Sequence, residues 1–170
     1  MSAPDRPFVV SVGQLLRAPG DRRREVRTGS LAGLAVTGSG VADDVEVAVE
    51  VMLDAVPGAI VATGRVTAPW RGPCRRCLVE AHGIIDVEVR EVFEEHPDPE
   101  QTYPIQGDRL DLEPLVRDTV LLELPLAPLC RDDCAGICPT CGADRNVAPC
   151  RCEVAAKDPR WAALDALGGN

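Results

Sequence analysis

Alternating apolar and polar residues are clearest between residues 45 and 56. One face of this stretch would carry the apolar residues Val45, Val47, Val49, Val51 and Leu53. A repeat of two residues is typical of a half-buried strand. Pro57-Gly58 then turns the chain into a second strand, Ile60–Trp70, and the shortness of the turn predicts an antiparallel hairpin.

Further strands are predicted on either side of this hairpin. A third strand from about Val79 to Phe93 has apolar residues on one face, so the residues just before it lie at a hairpin tip. Phe8–Val12 is a short strand, and Leu34 with Val36 is a candidate edge strand. The charged run 21–27 is predicted to be a solvated loop, with a phosphate-binding arm as the alternative.

The stretches 94–108 and 111–124 differ in pattern. The first has five acidic residues, three prolines and few apolar residues, which predicts a mobile acidic loop. The second has apolar residues at helical spacing, with Asp111 as N-cap and Glu113 in the first turn, where the helix dipole favours a negative charge. Pro125 ends this helix, and a short terminal helix is predicted from Asp158.

These elements predict an α+β fold, in which an antiparallel β-sheet or meander is packed by one main helix. A cysteine-rich segment and the short terminal helix follow. Residues 1–125 would form the β-rich domain with its covering helix, and residues 126–170 would pack on the same domain. The length of 170 residues suits one domain with such an appendage.

Eight cysteines carry the candidate chemistry, and six of them lie between Cys130 and Cys152. That segment has too few apolar residues to be held together by burial. Cys138-Pro-Thr-Cys141-Gly142 has the form of a zinc knuckle, in which two thiolates reach one tetrahedral ion at about 2.3 Å and the glycine permits a positive φ. Cys74-Arg-Arg-Cys77 is a second pair of the same spacing, at the predicted hairpin tip.

An even number of cysteines fits either disulfides or metal. The N-terminus has no apolar signal-peptide core, so we expect a cytoplasmic protein whose thiols stay reduced. Thiols this close in sequence are also better chelates than disulfide partners. Zinc is therefore favoured, at one or two ions per chain, over disulfides or a redox pair.

The eight thiols suit two four-coordinate sites, but spacing leaves their grouping open. In one arrangement the local set is Cys138, Cys141, Cys150 and Cys152. The remaining set is then Cys74, Cys77, Cys130 and Cys134. A zinc ribbon would instead join Cys74 and Cys77 to Cys138 and Cys141, and a third arrangement is a local site of Cys130, Cys134, Cys138 and Cys141. All are closed shells of sulfur, whereas a catalytic zinc keeps an open position.

Charge and motifs narrow the function. The net charge is −9, and an acidic chain is not expected to coat nucleic acid by itself. A local basic patch near the hairpin tip could still contact phosphates or a protein partner, with solvation as the alternative: Arg65, Arg71, Arg75 and Arg76. No apolar run is long enough to span a membrane. No nucleophile-elbow, P-loop, dinucleotide-binding or zinc-protease motif is present, so we expect neither an enzyme nor a small-molecule substrate.

Four segments together resemble one known family: Cys74–Leu78, Asp111–Cys130, Cys134–Gly142 and Asp158–Leu164. The family is YceD, in its actinobacterial form, and the resemblance runs from about residue 8 to residue 168. It implies a part in the accumulation of large-subunit ribosomal RNA. Some relatives lack most of the cysteines, which implies that metal is a scaffold. Others carry His-x-His at the position of Cys150-Arg-Cys152, which supports these two thiols as ligands.

The leading hypothesis is thus a non-enzymatic, zinc-stapled accessory protein in large-subunit rRNA accumulation and ribosome biogenesis. Its partner would be ribosomal RNA or a ribosomal protein of the large subunit. The alternative is a protein–protein adaptor that binds a basic ribosomal protein through the acidic loop, Glu94–Glu100. Salt separates the two, because direct RNA binding weakens steeply as salt rises. A hydrolase or a thiol oxidoreductase is the least favoured class.

Overall fold

Seven strands and two helices make up the part of the chain that the computed structural model describes, residues 6–152 and Arg160. The strands are β1 Val9–Ser11, β2 Arg22–Ser30, β3 Glu46–Val56, β4 Ala59–Pro73, β5 Glu80–Glu94, β6 Tyr103–Gln106 and β7 Arg109–Asp111. The helices are α1 Gly13–Leu16 and α2 Glu113–Glu123. Neither of these two helices is long and apolar enough to cross a membrane. The terminal helix predicted from Asp158 lies outside the described residues.

All seven strands belong to one sheet, in the order β1-β7-β6-β5-β4-β3-β2. The predicted antiparallel meander is confirmed from β3 to β5, where Pro57 and Gly58 connect β3 to β4. The sheet as a whole is mixed, because β5 and β6 run parallel, with Phe93 opposite Tyr103. Only two residue pairs make this parallel ladder, so the short loop 95–102 can bring the chain back without a crossover helix.

The stretch predicted as a mobile acidic loop therefore contains strand β6. Turn chemistry, not burial, organises the residues before it. The N–H groups of Gln101 and Thr102 donate to the Asp98 carbonyl at 2.9 and 2.8 Å, and the Asp98 N–H donates to the Thr102 hydroxyl at 2.9 Å. A prediction based on apolar content does not detect such a segment. Its order comes from local hydrogen bonds of Asp and Thr and not from apolar contacts.

Strand β2 corrects the prediction of a solvated loop at residues 21–27. Its half-buried face alternates charged residues instead of apolar ones, and Glu25 pairs with Arg23 at 2.7 Å and with Arg27 at 2.8 Å. The predicted edge strand at Leu34 and Val36 is not formed; an isolated bridge joins Ala35 to Gly40. The edge strand on this side of the sheet is therefore β2, and not a strand at Leu34 and Val36.

The sheet curls so that its two edge strands approach each other. The Arg23 guanidinium donates to the Ser11 carbonyl of β1 at 2.6 Å. Gly29 of β2 lies so close to Pro7 that a Cβ there would come within 2.5 Å of the proline ring. The core fills the inside of this curled sheet. The alternation that predicted β3 is confirmed, because Val47, Val49, Val51 and Leu53 are all at most 1% exposed.

Helix α2 covers part of the core. The prediction of one main helix is not met, because α1 forms a second helix of one turn. The N-cap of α2 is Leu112, and Asp111 belongs to β7. The Asp111 carboxylate still accepts the Glu113 N–H at 3.0 Å, so it satisfies a helix-terminal donor from one position further out. The buried residues Leu115, Val116 and Val120 face the sheet, where α2 contacts β4 and β5.

Leu115 provides a test of this packing. It is 1% exposed, so Leu115→Ala should lower the free energy of unfolding by about 2–5 kcal/mol through lost burial and a cavity. Leu122 lies on the same helix but is 83% exposed, and Leu122→Ala should change stability by less than about 0.5 kcal/mol. Denaturant unfolding of both variants measures this. Similar effects for the two would contradict the observed orientation of the helix.

Candidate metal centres

The tip of the β4–β5 hairpin is a tight turn built around Cys74 and Cys77. The Cys74 N–H donates to the Val79 carbonyl at 2.8 Å, and the Leu78 N–H donates to the Cys74 carbonyl at 2.9 Å. The Arg76 N–H points at the Cys74 sulfur, 3.4 Å away. Such N–H donors stabilise thiolates, so the turn is shaped to present charged sulfur.

The second C-x-x-C turn repeats this hydrogen-bond pattern. The Cys138 N–H donates to the Ala143 carbonyl at 2.8 Å, and the Gly142 N–H donates to the Cys138 carbonyl at 2.9 Å. Gly142 has φ +73°, as expected for a knuckle glycine. Leu78 occupies the equivalent position in the first turn with φ +64°. A left-handed conformation costs a leucine roughly 1–2 kcal/mol, so the first turn carries strain that the second avoids.

The structure brings the eight sulfurs together in two groups of four. The first centre is formed by Cys74, Cys77, Cys130 and Cys134, and the second centre by Cys138, Cys141, Cys150 and Cys152. Within each group the sulfurs all lie within 4.8 Å of one another. Of the three arrangements that spacing left open, the structure has the first. The ribbon-like pairing and the local set 130–141 are not formed.

The sulfur spacing fits a tetrahedral metal ion. In the first centre the Cys74 and Cys134 sulfurs are 3.9 Å apart, and those of Cys77 and Cys130 are 3.6 Å apart. Four sulfurs about 2.3 Å from a common ion have edges of about 3.8 Å. A disulfide needs about 2.05 Å, and all eight cysteines are free. The donor set is therefore suited to a soft or borderline divalent cation.

Main-chain and arginine contacts assemble the first centre from two distant parts of the chain. The Arg75 N–H donates to the Pro128 carbonyl at 2.9 Å, and the Ile137 N–H donates to the Arg76 carbonyl at 3.0 Å. The Arg76 guanidinium donates to the carbonyls of Cys134, at 2.9 Å, and Asp132, at 3.2 Å. The segment after α2 is thereby held against the hairpin tip, and Cys74 and Cys134 become buried.

Asn146 connects the two centres, and sequence reasoning missed it. It lies between Cys141 and Cys150 of the second centre, yet its side-chain N–H donates to the Cys134 sulfur of the first centre at 3.5 Å. Its side-chain oxygen accepts the Ala135 N–H at 2.7 Å and the Arg131 guanidinium at 2.9 Å. The only sign of this role in the sequence is that an asparagine lies within a cysteine-rich loop. This sign is too weak for a prediction, because asparagine is common in loops.

The thiols within a centre have divergent acidities. Burial acts to raise the pKa of Cys74, but hydrogen bonds from the backbone of Arg76, Cys130 and Cys77 outweigh it and bring the pKa to about 6. The Cys77 thiol and burial raise the pKa of Cys130 to about 12. In the second centre, backbone hydrogen bonds from Cys141 and Thr140 lower the pKa of Cys138 to about 6. Four neighbouring thiolates repel one another, and a bound cation removes that repulsion.

The four arginines of the predicted basic patch have different environments. Arg65 pairs with Asp86 at 2.6 Å and with Glu88 at 3.5 Å, so its charge is largely compensated. Arg76 is bound to the carbonyls of the first centre. The side chains of Arg71 and Arg75 are exposed and have no hydrogen-bond or ion-pair partner in the described part of the chain. Only these two are available to a partner.

A groove of about 510 Å³ lies beside β6, next to the acidic stretch. Its walls include Tyr103, whose ring stacks on Phe93 with centroids 5.2 Å apart and whose hydroxyl donates to Asp118 at 2.9 Å. Burial and Asp118 raise the pKa of Tyr103. Glu91, Glu100 and Asp118 also line the groove, and none forms an ion pair with a described residue.

Comparison with known proteins identifies the family. The family model described as large ribosomal RNA subunit accumulation protein YceD matches residues 62–168, a range that includes all eight cysteines. This chain belongs to the YceD family. The resemblance noted in the sequence is therefore confirmed, and both centres lie within the matched range.

Relatives of this YceD protein occur in mycobacteria and beyond. An uncharacterized protein of Mycobacterium tuberculosis is 32% identical over 170 residues, which cover 93% of this chain and 80% of the relative. Protein YlbN of Bacillus subtilis is 29% identical over 56% of this chain and 58% of its own length. A chloroplastic large ribosomal RNA subunit accumulation protein, YCED homolog 1 of Arabidopsis thaliana, is 32% identical over 38% of this chain and 20% of its own length. No solved structure matches the chain.

The adjacent arginines at the hairpin tip allow a matched test of how the first centre is assembled. Arg76→Ala should lower the free energy of unfolding by about 1 kcal/mol, because two carbonyls lose a charged donor. Arg75→Ala should have an effect below about 0.5 kcal/mol, because its side chain has no described partner. Denaturant unfolding compares the two. Equal effects would contradict a linking role for the Arg76 side chain.

Proposed function

We propose that this YceD protein is a non-enzymatic accessory protein in large-subunit ribosomal RNA accumulation, with two zinc ions as its scaffold. The zinc scaffold is supported by the grouping of the eight sulfurs into two sets of four, at the spacing that a tetrahedral ion requires. The role in rRNA accumulation is supported by family membership, since the matching family is described as a large ribosomal RNA subunit accumulation protein. The proposed setting is the cytoplasm, where thiols stay reduced and ribosomes are assembled.

Zinc is supported by the chemistry of the donors. Four cysteine thiolates are the usual ligands of structural zinc, and they leave no open coordination position. A closed shell gives a bound metal no place for water or substrate, so the metal would stabilise the fold and not catalyse. The same arrangement argues against a thiol oxidoreductase, because a zinc-bound thiolate is not a free nucleophile.

The scaffold role is supported by what the first centre joins. Two of its ligands come from the β4–β5 hairpin tip, and the other two come from the segment after α2. Among residues 126–152, the large aliphatic side chains Leu126, Ile137 and Val147 are exposed. Such a segment gains little from burial, so metal binding would supply most of its folding free energy.

An adaptor function remains the second candidate, and the acidic groove favours it. The three carboxylates that line the groove have no cationic partner in the described chain, and the whole chain carries a net charge of −9. A basic segment of a large-subunit ribosomal protein would complement this charge. In this case the protein would act on rRNA indirectly, through its protein partner.

Metal content tests the scaffold. Reduced protein purified without added metal should contain two zinc ions per chain by elemental analysis. Cys138→Ser should leave about one ion and unfold the second centre locally, while the sheet keeps its cooperative unfolding transition. Thr140→Ser is the matched control, because Thr140 lies in the same turn but offers no sulfur ligand. Metal-free protein with intramolecular disulfides would contradict the scaffold.

A cell-based experiment tests the process. In a strain that lacks the gene, the ratio of large-subunit to small-subunit rRNA should fall, and expression of the wild-type chain should restore it. Binding of the purified protein to protein-free rRNA and to extracted large-subunit proteins, each over a salt series, then separates the two candidates. A steep loss of RNA affinity with salt indicates direct phosphate contacts. An unchanged rRNA ratio in the deletion strain would contradict the proposed function.

A further inference from the structure

Leu78 is the one non-glycine residue in the described chain with a positive φ, +64°. The residue is 66% exposed, so burial in the fold does not explain the presence of a leucine there. Other exposed leucines, such as Leu122 in α2, have no such strain. Leu78 therefore combines a backbone conformation that leucine disfavours with a side chain that the fold leaves largely uncovered.

The second knuckle shows what the turn itself requires. Its equivalent residue is Gly142, and the two corresponding hydrogen bonds have the same lengths in both turns, 2.8 and 2.9 Å. Glycine thus satisfies the same backbone geometry without strain. The leucine side chain at the first knuckle is not needed to form the turn, which points to a contact outside the fold.

The neighbours of Leu78 define the chemistry of this surface. Val79 follows it and is 55% exposed. Arg75 lies in the same turn, is exposed, and has no side-chain partner among the described residues. We call these three residues the knuckle tip. It combines two aliphatic side chains that are adjacent in sequence with a positive charge that has no ion-pair partner among the described residues, on the turn that carries Cys74 and Cys77 of the first centre.

Two of the three knuckle-tip side chains are aliphatic, Leu78 and Val79, and these favour a protein partner over RNA. Proteins read unpaired RNA bases mainly by stacking aromatic or arginine side chains on them. The knuckle tip itself carries no aromatic ring, and within residues 6–152 Phe8 and Phe93 are buried while Trp70 and Tyr103 are half-buried. The exposed ring side chains in that range are His82 and His96, and neither belongs to the knuckle tip. Aliphatic side chains next to an arginine are instead suited to an apolar pocket bordered by carboxylates.

We propose that the knuckle tip of Arg75, Leu78 and Val79 is a docking surface for a protein partner that offers an apolar pocket with an acidic rim. This inference rests on the proposed function, because it assigns the surface through which the protein acts in rRNA accumulation. The strain at Leu78 is then retained because the side chain contributes to binding. The acidic groove beside β6 is a different surface, and its occupant would have the opposite charge.

Leu78→Gly separates folding from docking. Glycine accepts φ +64° without strain, so the variant should keep two zinc ions and have a Tm equal to or higher than that of the wild type. In the deletion strain it should fail to restore the rRNA ratio that the wild type restores. Leu126→Gly is the matched control, because it removes the same side chain from another exposed site, 73% exposed, and should complement fully.

Three results of this experiment would overturn the docking proposal. They are full complementation by Leu78→Gly, loss of zinc from the variant, and a lowered Tm. The last two would mean that Leu78 serves the fold. If the wild-type chain itself restores no rRNA, the proposed function fails, and the docking surface is then judged by cross-linking alone.

Cross-linking identifies the class of partner. A benzophenone amino acid at position 79 leaves Leu78 in place, and the same group at position 122 is the control. Irradiated cells should give an adduct from position 79 that resists ribonuclease, is destroyed by protease, and disappears when Leu78→Gly is added. An adduct that ribonuclease destroys would overturn the proposal in favour of RNA. The absence of any adduct specific to position 79 would overturn it as well.

Discussion

The chelate geometry at the hairpin tip is the constraint on which the arrangement of the second half of this protein depends. Two sulfurs of the β4–β5 turn and two from the segment after α2 come within 4.8 Å of one another. Four sulfur donors at that spacing can satisfy one tetrahedral cation, and without a cation they repel when ionised. Around these sulfurs the packing is polar and not apolar: the Arg76 guanidinium donates to the Cys134 carbonyl, and the Asn146 amide donates to the Cys134 sulfur.

The two halves of the structure are stabilised by different physical means. The curled sheet and α2 enclose an aliphatic core, with Val47, Leu53 and Leu115 almost fully buried. This half can fold by the hydrophobic effect. The cysteine segment has few buried apolar side chains, and the small cluster that it forms with the hairpin tip consists of Cys74, Cys77 and Cys134, with Leu129 packed against them. Under the proposed zinc scaffold, its order would rest on sulfur ligation together with hydrogen bonds.

Cross-strand ion pairs compensate several arginines of the sheet, which limits the positive charge that remains for a partner. Arg22, Arg24 and Arg65 each pair with a carboxylate across neighbouring strands. Surface pairs of this kind add little stability, but they remove the arginines from any phosphate-binding surface. The chain with its net charge of −9 thus offers a partner only local features, such as the knuckle tip and the acidic groove.

The sequence by itself determined the features that have a local physical signature. The alternation at residues 45–56 fixed β3, Pro57-Gly58 fixed the hairpin, and the spacing of Cys74 with Cys77 and of Cys138 with Cys141 identified two knuckles. Each signature depends on a few neighbouring residues, so it can be recognised without knowing the rest of the fold.

Only the tertiary structure decided how distant parts combine. The pairing of the Cys74–Cys77 knuckle with Cys130 and Cys134 depends on where the chain leaves α2, which spacing does not encode. The parallel placement of β6 depends on which edge of the sheet stays open after β5 has formed. The grouping of the cysteines and the placement of β6 both depend on contacts between residues far apart in the sequence. Local sequence patterns are compatible with several such arrangements, and only the folded chain selects one.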